Sequence, residues 1–172
     1  MRYTKCFFWA ALAAGALLAA QAPAAVQKLT AAQDAARSNT DFQAHHFMAA
    51  AAIAKAVGAP LAPLTDASGA ALTANAAAAK LAAPASGYRE VKSDEAQQLA
   101  NSGSLVIVAW SNPQGAGHLA TVRPAGVSGD DVKAGSRDPL INNVGVDVGV
   151  EGVNWVFRKD AELHFFTPGA GQ

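Results

Sequence analysis

The chain has 172 residues, of which 51% are hydrophobic and 15% are charged, and its 13 basic and 13 acidic residues balance to a net charge of zero. Because the sequence contains no basic stripe or run of lysine and arginine, it argues against a nucleic-acid partner. The single cysteine, Cys6, excludes an intramolecular disulfide, so the folded state must depend on burial of apolar surface.

The first 24 residues have the layout of a secretion signal. Residues 1–5 carry two positive charges, residues 6–20 form an apolar run, and Ala-Pro-Ala at residues 22–24 supplies the small side chains that a signal peptidase requires. The apolar run has about 15 residues, fewer than the roughly 20 that cross a bilayer, which favours a cleaved signal over a retained anchor. We therefore predict cleavage after Ala24 or one residue later, a periplasmic or secreted location, and no stable membrane anchor after cleavage.

The predicted mature chain, residues 25–172, has about 148 residues and no cysteine. That length supports a single domain with an ordinary hydrophobic core. Loss of Arg2 and Lys5 with the signal leaves 11 basic and 13 acidic residues, a net charge near −2.

Helical patterns dominate the first half of the mature chain. Residues 26–37 have weak helical spacing, which fits a short helix or a mobile lead-in equally well. Thr40 followed by Gln43 matches a capping box, which predicts a helix that starts one residue later and holds Ala44 in its first turn. Apolar residues then recur at three- and four-residue spacing until Gly58 ends the helix.

Two further helices and several strands follow. The helices are predicted at residues 72–82 and 93–103. The apolar run "LVIVAW" at residues 105–110 is typical of a buried strand, and a second strand begins at His118. Up to three more strands are predicted within residues 139–150, 153–158 and 162–168. Helices followed by strands indicate an α+β domain, with the helices on one side of a mostly antiparallel sheet.

His118 is the leading candidate for a chemical role. The stretch "GAGHLATV" delivers this histidine from a flexible glycine loop onto the first position of a strand. A sheet would hold such a residue firmly while its ring reaches the sheet's edge. On these residues alone, a solvent-facing histidine at a strand end is the more common arrangement.

Three segments carry a family resemblance: "AHHFM" at residues 44–48, "GHLATVRP" at 117–124 and "PLINNVG" at 139–145. Their order resembles that of the papain-like cell-wall cysteine amidases and endopeptidases of the NlpC-type and CHAP-type group, over about residues 38–166. The resemblance implies a papain-like α+β fold with the helices packed on the sheet. It also implies hydrolysis of peptide or amide bonds in peptidoglycan or a similar polymer, with no cofactor.

The resemblance also assigns catalytic roles to individual positions. In this family the nucleophile is a cysteine in the first turn of a helix, where N–H groups and the macrodipole stabilise the thiolate, and Ala44 occupies that position here. His118 would be the general base and acid, and Asn143 would fix its ring. Asn142 and Asp147 are the alternatives to Asn143. Because strand side chains alternate, only one of the two asparagines can meet the histidine.

Ala44 cannot attack a carbonyl, so the chain as written is expected to be inactive by this route. An engineered Cys→Ala substitution and a natural pseudoenzyme both fit this departure. If the alignment is shifted by a residue, His45 or His46 fills the nucleophile position instead. Gln43 could serve the oxyanion site, although the capping box already accounts for it.

His45 and His46 flank the nucleophile position, and one of them is expected to line the cleft, although two surface histidines near a helix end would look the same. Adjacent histidines on a regular helix cannot share one metal ion, and no second ligand cluster accompanies them, so we predict no metal site. Trp110 and Trp155 lie within apolar runs and are expected to be core aromatics. Asp130, with its acidic neighbour, is an isolated loop residue that suggests neither calcium binding nor acid/base chemistry.

These patterns predict a secreted hydrolase scaffold, inactive as written, whose partner is peptidoglycan or another peptide substrate. The alternative is a non-catalytic binding module that holds a wall fragment or a protein partner in the same cleft. A secreted structural domain without a functional cleft is the third interpretation.

Overall fold

A computed structural model describes residues 23–169 of the chain. The predicted signal therefore lies outside the described residues except for its last two positions. None of the helices within 23–169 is long and apolar enough to cross a membrane.

The described chain contains six helices and six strands, and four of the helices precede the first strand. The helices are α1 (residues 23–37), α2 (Thr40–Ala44), α3 (His46–Val57), α4 (Ala74–Leu81), α5 (Ser93–Asn101) and α6 (Val153–Val156). The strands are β1 (Tyr88–Val91), β2 (Ile107–Trp110), β3 (His118–Val122), β4 (Leu140–Asn143), β5 (Gly149–Gly152) and β6 (Leu163–Pro168).

The strands form one six-stranded antiparallel sheet in the order β1-β6-β2-β3-β4-β5. The domain is therefore α+β, as the order of the predicted elements indicated. In the β2–β3 pair, Trp110 lies opposite His118, so the loop between them turns back tightly at one end of the sheet. A parallel bridge from Val132 to Val150 covers part of the outer edge of β5.

Helices cover both faces of the sheet, so the prediction that they gather on one side is wrong. One core lies between the sheet and helices α1, α3 and α4, and a second contains Ala96 and Ala100 of α5. Along β2, Ile107 and Ala109 face the first core and Val108 faces the second. A strand covered on both faces has no polar side, which explains the continuous apolar run in this part of the sequence.

The segment 153–158, predicted as a strand, begins with the short helix α6 instead. Tertiary hydrogen bonds override the β propensity here. The Asn154 side chain accepts from the Arg137 N–H at 2.8 Å and donates to the Gly135 carbonyl at 3.2 Å. These bonds hold the chain in a turn immediately after β5.

The helix predicted from Thr40 onward is interrupted, and this break determines which residue reaches the sheet. Asn39, rather than Thr40, caps α2, because its side-chain oxygen accepts from the Asp41 N–H at 2.9 Å. His45 then leaves the helical conformation with φ −135° and ψ 62°, and a second helix, α3, starts at His46. The first turn of the long helix therefore begins two residues beyond Ala44.

Candidate functional site

His118 and Asn143 lie on the same face of the sheet and are hydrogen-bonded. The distance from His118 Nε2 to Asn143 Oδ1 is 3.0 Å, and Asn143 Nδ2 donates to the Asp147 carbonyl at 2.8 Å. Since the second bond turns the amide oxygen toward the imidazole, His118 Nε2 carries the proton and donates it. This tautomer leaves Nδ1 of His118 as the atom that can accept a proton.

His46 is the side chain that faces this pair from the helical layer. It is the first residue of α3, and its ring centroid lies 4.4 Å from that of His118. His46 Nε2 lies 3.2 Å from the Gly117 carbonyl, and because that oxygen can only accept, Nε2 is the donor. The two imidazoles thus contact each other, each with its Nε2–H bonded to an oxygen and its Nδ1 unprotonated.

Burial keeps both rings neutral. The pKa of His118 falls from 6.5 to about 4, chiefly through burial and also through repulsion from His46, while the bond to Asn143 opposes the shift. Burial likewise lowers the pKa of His46, and electrostatic interaction with the neighbouring His45 lowers it further, against the bond to the Gly117 carbonyl. At neutral pH the site therefore presents two uncharged nitrogen acceptors rather than a cation.

The lowered pKa of His118 predicts that acid destabilises the fold. Above pH 6.5 the histidine is neutral in both the folded and the unfolded states, but between pH 6.5 and about 4 only the unfolded state takes up the proton. We expect the free energy of unfolding to fall over this range by on the order of 2 to 3 kcal/mol. Urea unfolding at pH 7.0 and pH 4.5 measures the difference.

His118→Gln should remove most of this difference because glutamine does not titrate. His164 offers a matched control, since its side chain is 41% exposed and lies outside the site. The chain carrying His164→Gln should keep the full pH dependence. If the free energy of unfolding falls equally between pH 7.0 and pH 4.5 in both variants, groups other than His118 cause the acid sensitivity.

Asn75 of α4 orders the loop that leads to His118. Its side-chain nitrogen donates to the carbonyls of Asn112 and Gly115, each at 2.9 Å, and its oxygen accepts from the Asn112 N–H at 2.9 Å. The same loop carries the Gly117 carbonyl that holds the His46 ring. No sequence pattern indicates this role, because Asn75 lies in an alanine-rich helix 37 residues before Asn112.

A cavity of about 260 Å³ opens beside His46. His46 and Phe47 line one side of it, the start of α4 at Thr73 and Asn75 lines another, and the loop at residues 115–117 closes the third. Except at Phe47 and His46 its walls are small side chains and backbone. The site can therefore admit a ligand up to the imidazole of His46.

The other candidate residues from the sequence lie apart from the contact between His46 and His118, or contribute to it only through the backbone. Ala44, Gln43 and His45 are exposed around the break between α2 and α3. Asn142 is 1% exposed and faces α3, and neither polar atom of its side chain has a hydrogen-bond partner within residues 23–169. Asp147 is exposed and contributes only its carbonyl.

The two tryptophans differ in their surroundings. Trp110 packs against the second core, as predicted. The prediction for Trp155 is wrong, because this residue is 48% exposed and stacks under the ammonium group of Lys133, 4.4 Å from the ring centroid. Its place on α6 rather than on a strand explains the exposure.

Comparisons with known protein families, with curated proteins and with solved structures found no match. Within residues 23–169 no group of three or more histidine, cysteine, aspartate or glutamate side chains could hold a metal ion.

Proposed function

We propose that the chain is a secreted, papain-like hydrolase scaffold for peptide or amide bonds of peptidoglycan, inactive as written because His46 stands where the nucleophile belongs. The observation that carries the proposal is the contact between His46, at the first position of α3, and the oriented pair of His118 and Asn143. This arrangement supports a helix-borne nucleophile facing a sheet-borne base. It moves the nucleophile position from Ala44 to His46.

The chemistry of this arrangement requires a thiol at position 46. The N–H groups of the first turn of α3 would stabilise a thiolate there and then the oxyanion that forms after its attack on a carbonyl. Nδ1 of His118 would take the thiol proton and return it to the leaving amine, while Asn143 keeps Nε2 protonated. A neutral imidazole at position 46 leaves the base without a thiol to activate.

A binding module on the same scaffold is the second candidate. The cavity of about 260 Å³ beside His46 favours it, because a ligand can reach the His46 ring without any rearrangement of the backbone. In this case the unprotonated Nδ1 of His46 would accept a hydrogen bond from an amide group of a wall peptide. Predicted secretion supports a wall ligand for either candidate.

His46→Cys is expected to create a reactive thiol. With Cys6 replaced by alanine, the new thiol should have a pKa below the ordinary value of about 8.5 and should react with iodoacetamide at pH 6. We also expect cleavage of muropeptides, measured by release of new amino groups. Adding His118→Ala should reduce that cleavage by at least about 100-fold, since the general base is lost.

Ala44→Cys is the matched control because position 44 is exposed at the end of α2 and is the one the sequence alignment favoured. Its thiol should have an ordinary pKa and support no cleavage. Equal reactivity at positions 44 and 46, with no dependence on His118, would contradict the proposal. Binding of muropeptides by the unmodified chain, without turnover by the His46→Cys variant, would favour the binding module.

A further inference from the structure

Helix α3 is apolar on both of its faces over residues 47–54, where the sequence reads Phe-Met-Ala-Ala-Ala-Ala-Ile-Ala. One face, with Ala49, Ala50 and Ile53, is buried against the sheet. A surface helix normally turns a polar face outward, so an apolar second face implies that something covers it. On α3 this second face is the stripe of Met48, Ala52 and neighbouring residues.

A cavity of about 520 Å³ lies over this second face. Met48, Ala52 and Lys55 of α3 form one wall, Phe42 and Phe47 close one end, and Leu61 belongs to the opposite wall. The volume falls within the roughly 300 to 1,000 Å³ typical of small-molecule sites, and its lining is predominantly apolar, as in those sites. The cavity is separate from the one beside His46, although Phe47 borders both.

The opposite wall is preorganised rather than collapsible. The loop at residues 59–72 is anchored by Leu64, which is 1% exposed, and by the hydrogen bond from the Tyr88 hydroxyl to the Pro60 carbonyl at 2.9 Å. The Asp66 carboxylate accepts from the N–H groups of Ser68 and Ala70 at 2.9 and 3.0 Å, which fixes the turn at the tip of the loop. These contacts fix the conformation of the loop that forms this wall.

Lys55 supplies the only charge on the lining of this cavity. Among residues 23–169 no carboxylate lies within 4 Å of its ammonium group. From Met48 to Lys55 the helix advances about 10 Å, so the apolar stripe ends in one unpaired positive charge. An occupant that complements this lining has an elongated apolar body and a single negative group at one end.

We propose that this cavity binds a linear amphipathic carboxylate, with its apolar tail along Met48 and Ala52 and its carboxylate at Lys55. The site differs in chemistry from the histidine site, because it recognises an apolar chain and one negative charge. It does not require a nucleophile at position 46.

Decanoate, below its micellar concentration, is the probe, and isothermal titration calorimetry of the full chain is the measurement. We expect saturable binding at one site per chain. Ala52→Phe should fill the cavity and weaken decanoate binding at least 10-fold, whereas Ala56→Phe, on an exposed position of the same helix outside the lining, should change it less than twofold. Absence of saturable binding, or an equal effect of the two phenylalanines, would overturn the proposal.

Charge recognition is tested separately by surface substitutions that leave the core untouched. Lys55→Gln should weaken decanoate binding about threefold and leave decanol binding unchanged. Lys80→Gln is the matched control, since Lys80 is an exposed lysine in the last turn of α4. If decanoate and decanol bind equally well and Lys55→Gln alters neither, the site is a plain apolar crevice and the assigned carboxylate specificity is wrong.

Discussion

Arg123→Ala is expected to lower the free energy of unfolding by about 3 kcal/mol, because it removes both short bonds to the largely buried Asp130 carboxylate and leaves it only Arg37 Nη2, 3.5 Å away. The Arg123 side chain is 1% exposed, and its Nε and Nη2 atoms each lie 2.9 Å from an oxygen of Asp130, whose side chain is 6% exposed. Nη1 donates to the Thr30 carbonyl at 3.0 Å, and Nη2 lies 3.0 Å from the Asp34 carboxylate. One guanidinium therefore joins α1 to the end of β3 and to the loop that follows.

Chemical unfolding with urea at pH 7 measures this loss. Arg89→Ala is the matched control, since Arg89 also pairs with a carboxylate, that of Glu95 at 2.8 Å, but both side chains are more than 40% exposed. Its removal should cost less than about 1 kcal/mol. Similar losses for the two arginines would show that burial does not strengthen the Arg123 network.

The double variant Arg123→Met with Asp130→Leu distinguishes the cost of an unpaired charge from the value of the pair. With both charges removed, much of the lost stability should return, because no desolvated carboxylate remains. If the double variant is as unstable as Arg123→Ala, the bonds to Thr30 and Asp34 carry the stabilisation instead.

The regular part of this fold could be predicted from local patterns, whereas contacts between distant segments could not. The apolar run at 105–110 and the strand that starts at His118 are both present in the sheet. Strand β1 was not predicted, because its two central residues, Arg89 and Glu90, are both exposed and the strand lacks an alternating apolar pattern. The sequence likewise presented Asp130 as an isolated loop residue, because its partner Arg123 is brought to it only by the folded loop.

The candidate site shows the same division. His118 could be identified from the sequence because it follows a glycine loop at the start of a strand. Alternation along β4 required that only one of Asn142 and Asn143 share its face, and Asn143 is the one that does. The sequence could not identify His46, rather than Ala44, as the residue that faces His118, because no glycine or proline marks the break in the helix at His45. A two-residue difference in where a helix starts changes which side chain meets the sheet.

Gly117→Ala is expected to disrupt the site more than Gly115→Ala, which adds a methyl group to the same loop before β3. A Cβ at position 117 would collide with the Asn75 side-chain oxygen and lie 2.5 Å from the Trp110 carbonyl. Neither group can yield freely, since Asn75 is bonded to the loop at three points and Trp110 belongs to β2. We expect a loss of about 1 to 3 kcal/mol in unfolding free energy from this overpacking.

The same substitution should displace the Gly117 carbonyl and with it the loop that enters β3 at His118. In the His46→Cys background, Gly117→Ala should therefore raise the thiol pKa toward its ordinary value and slow alkylation at pH 6. Gly115→Ala is the control within the same loop, because a Cβ there meets only the end of the Asn112 side chain, at 3.1 Å, which can rotate away. If the two alanine variants slow alkylation equally, a methyl group anywhere in this loop has the same effect. The close packing of Gly117 against Asn75 then does not position the site.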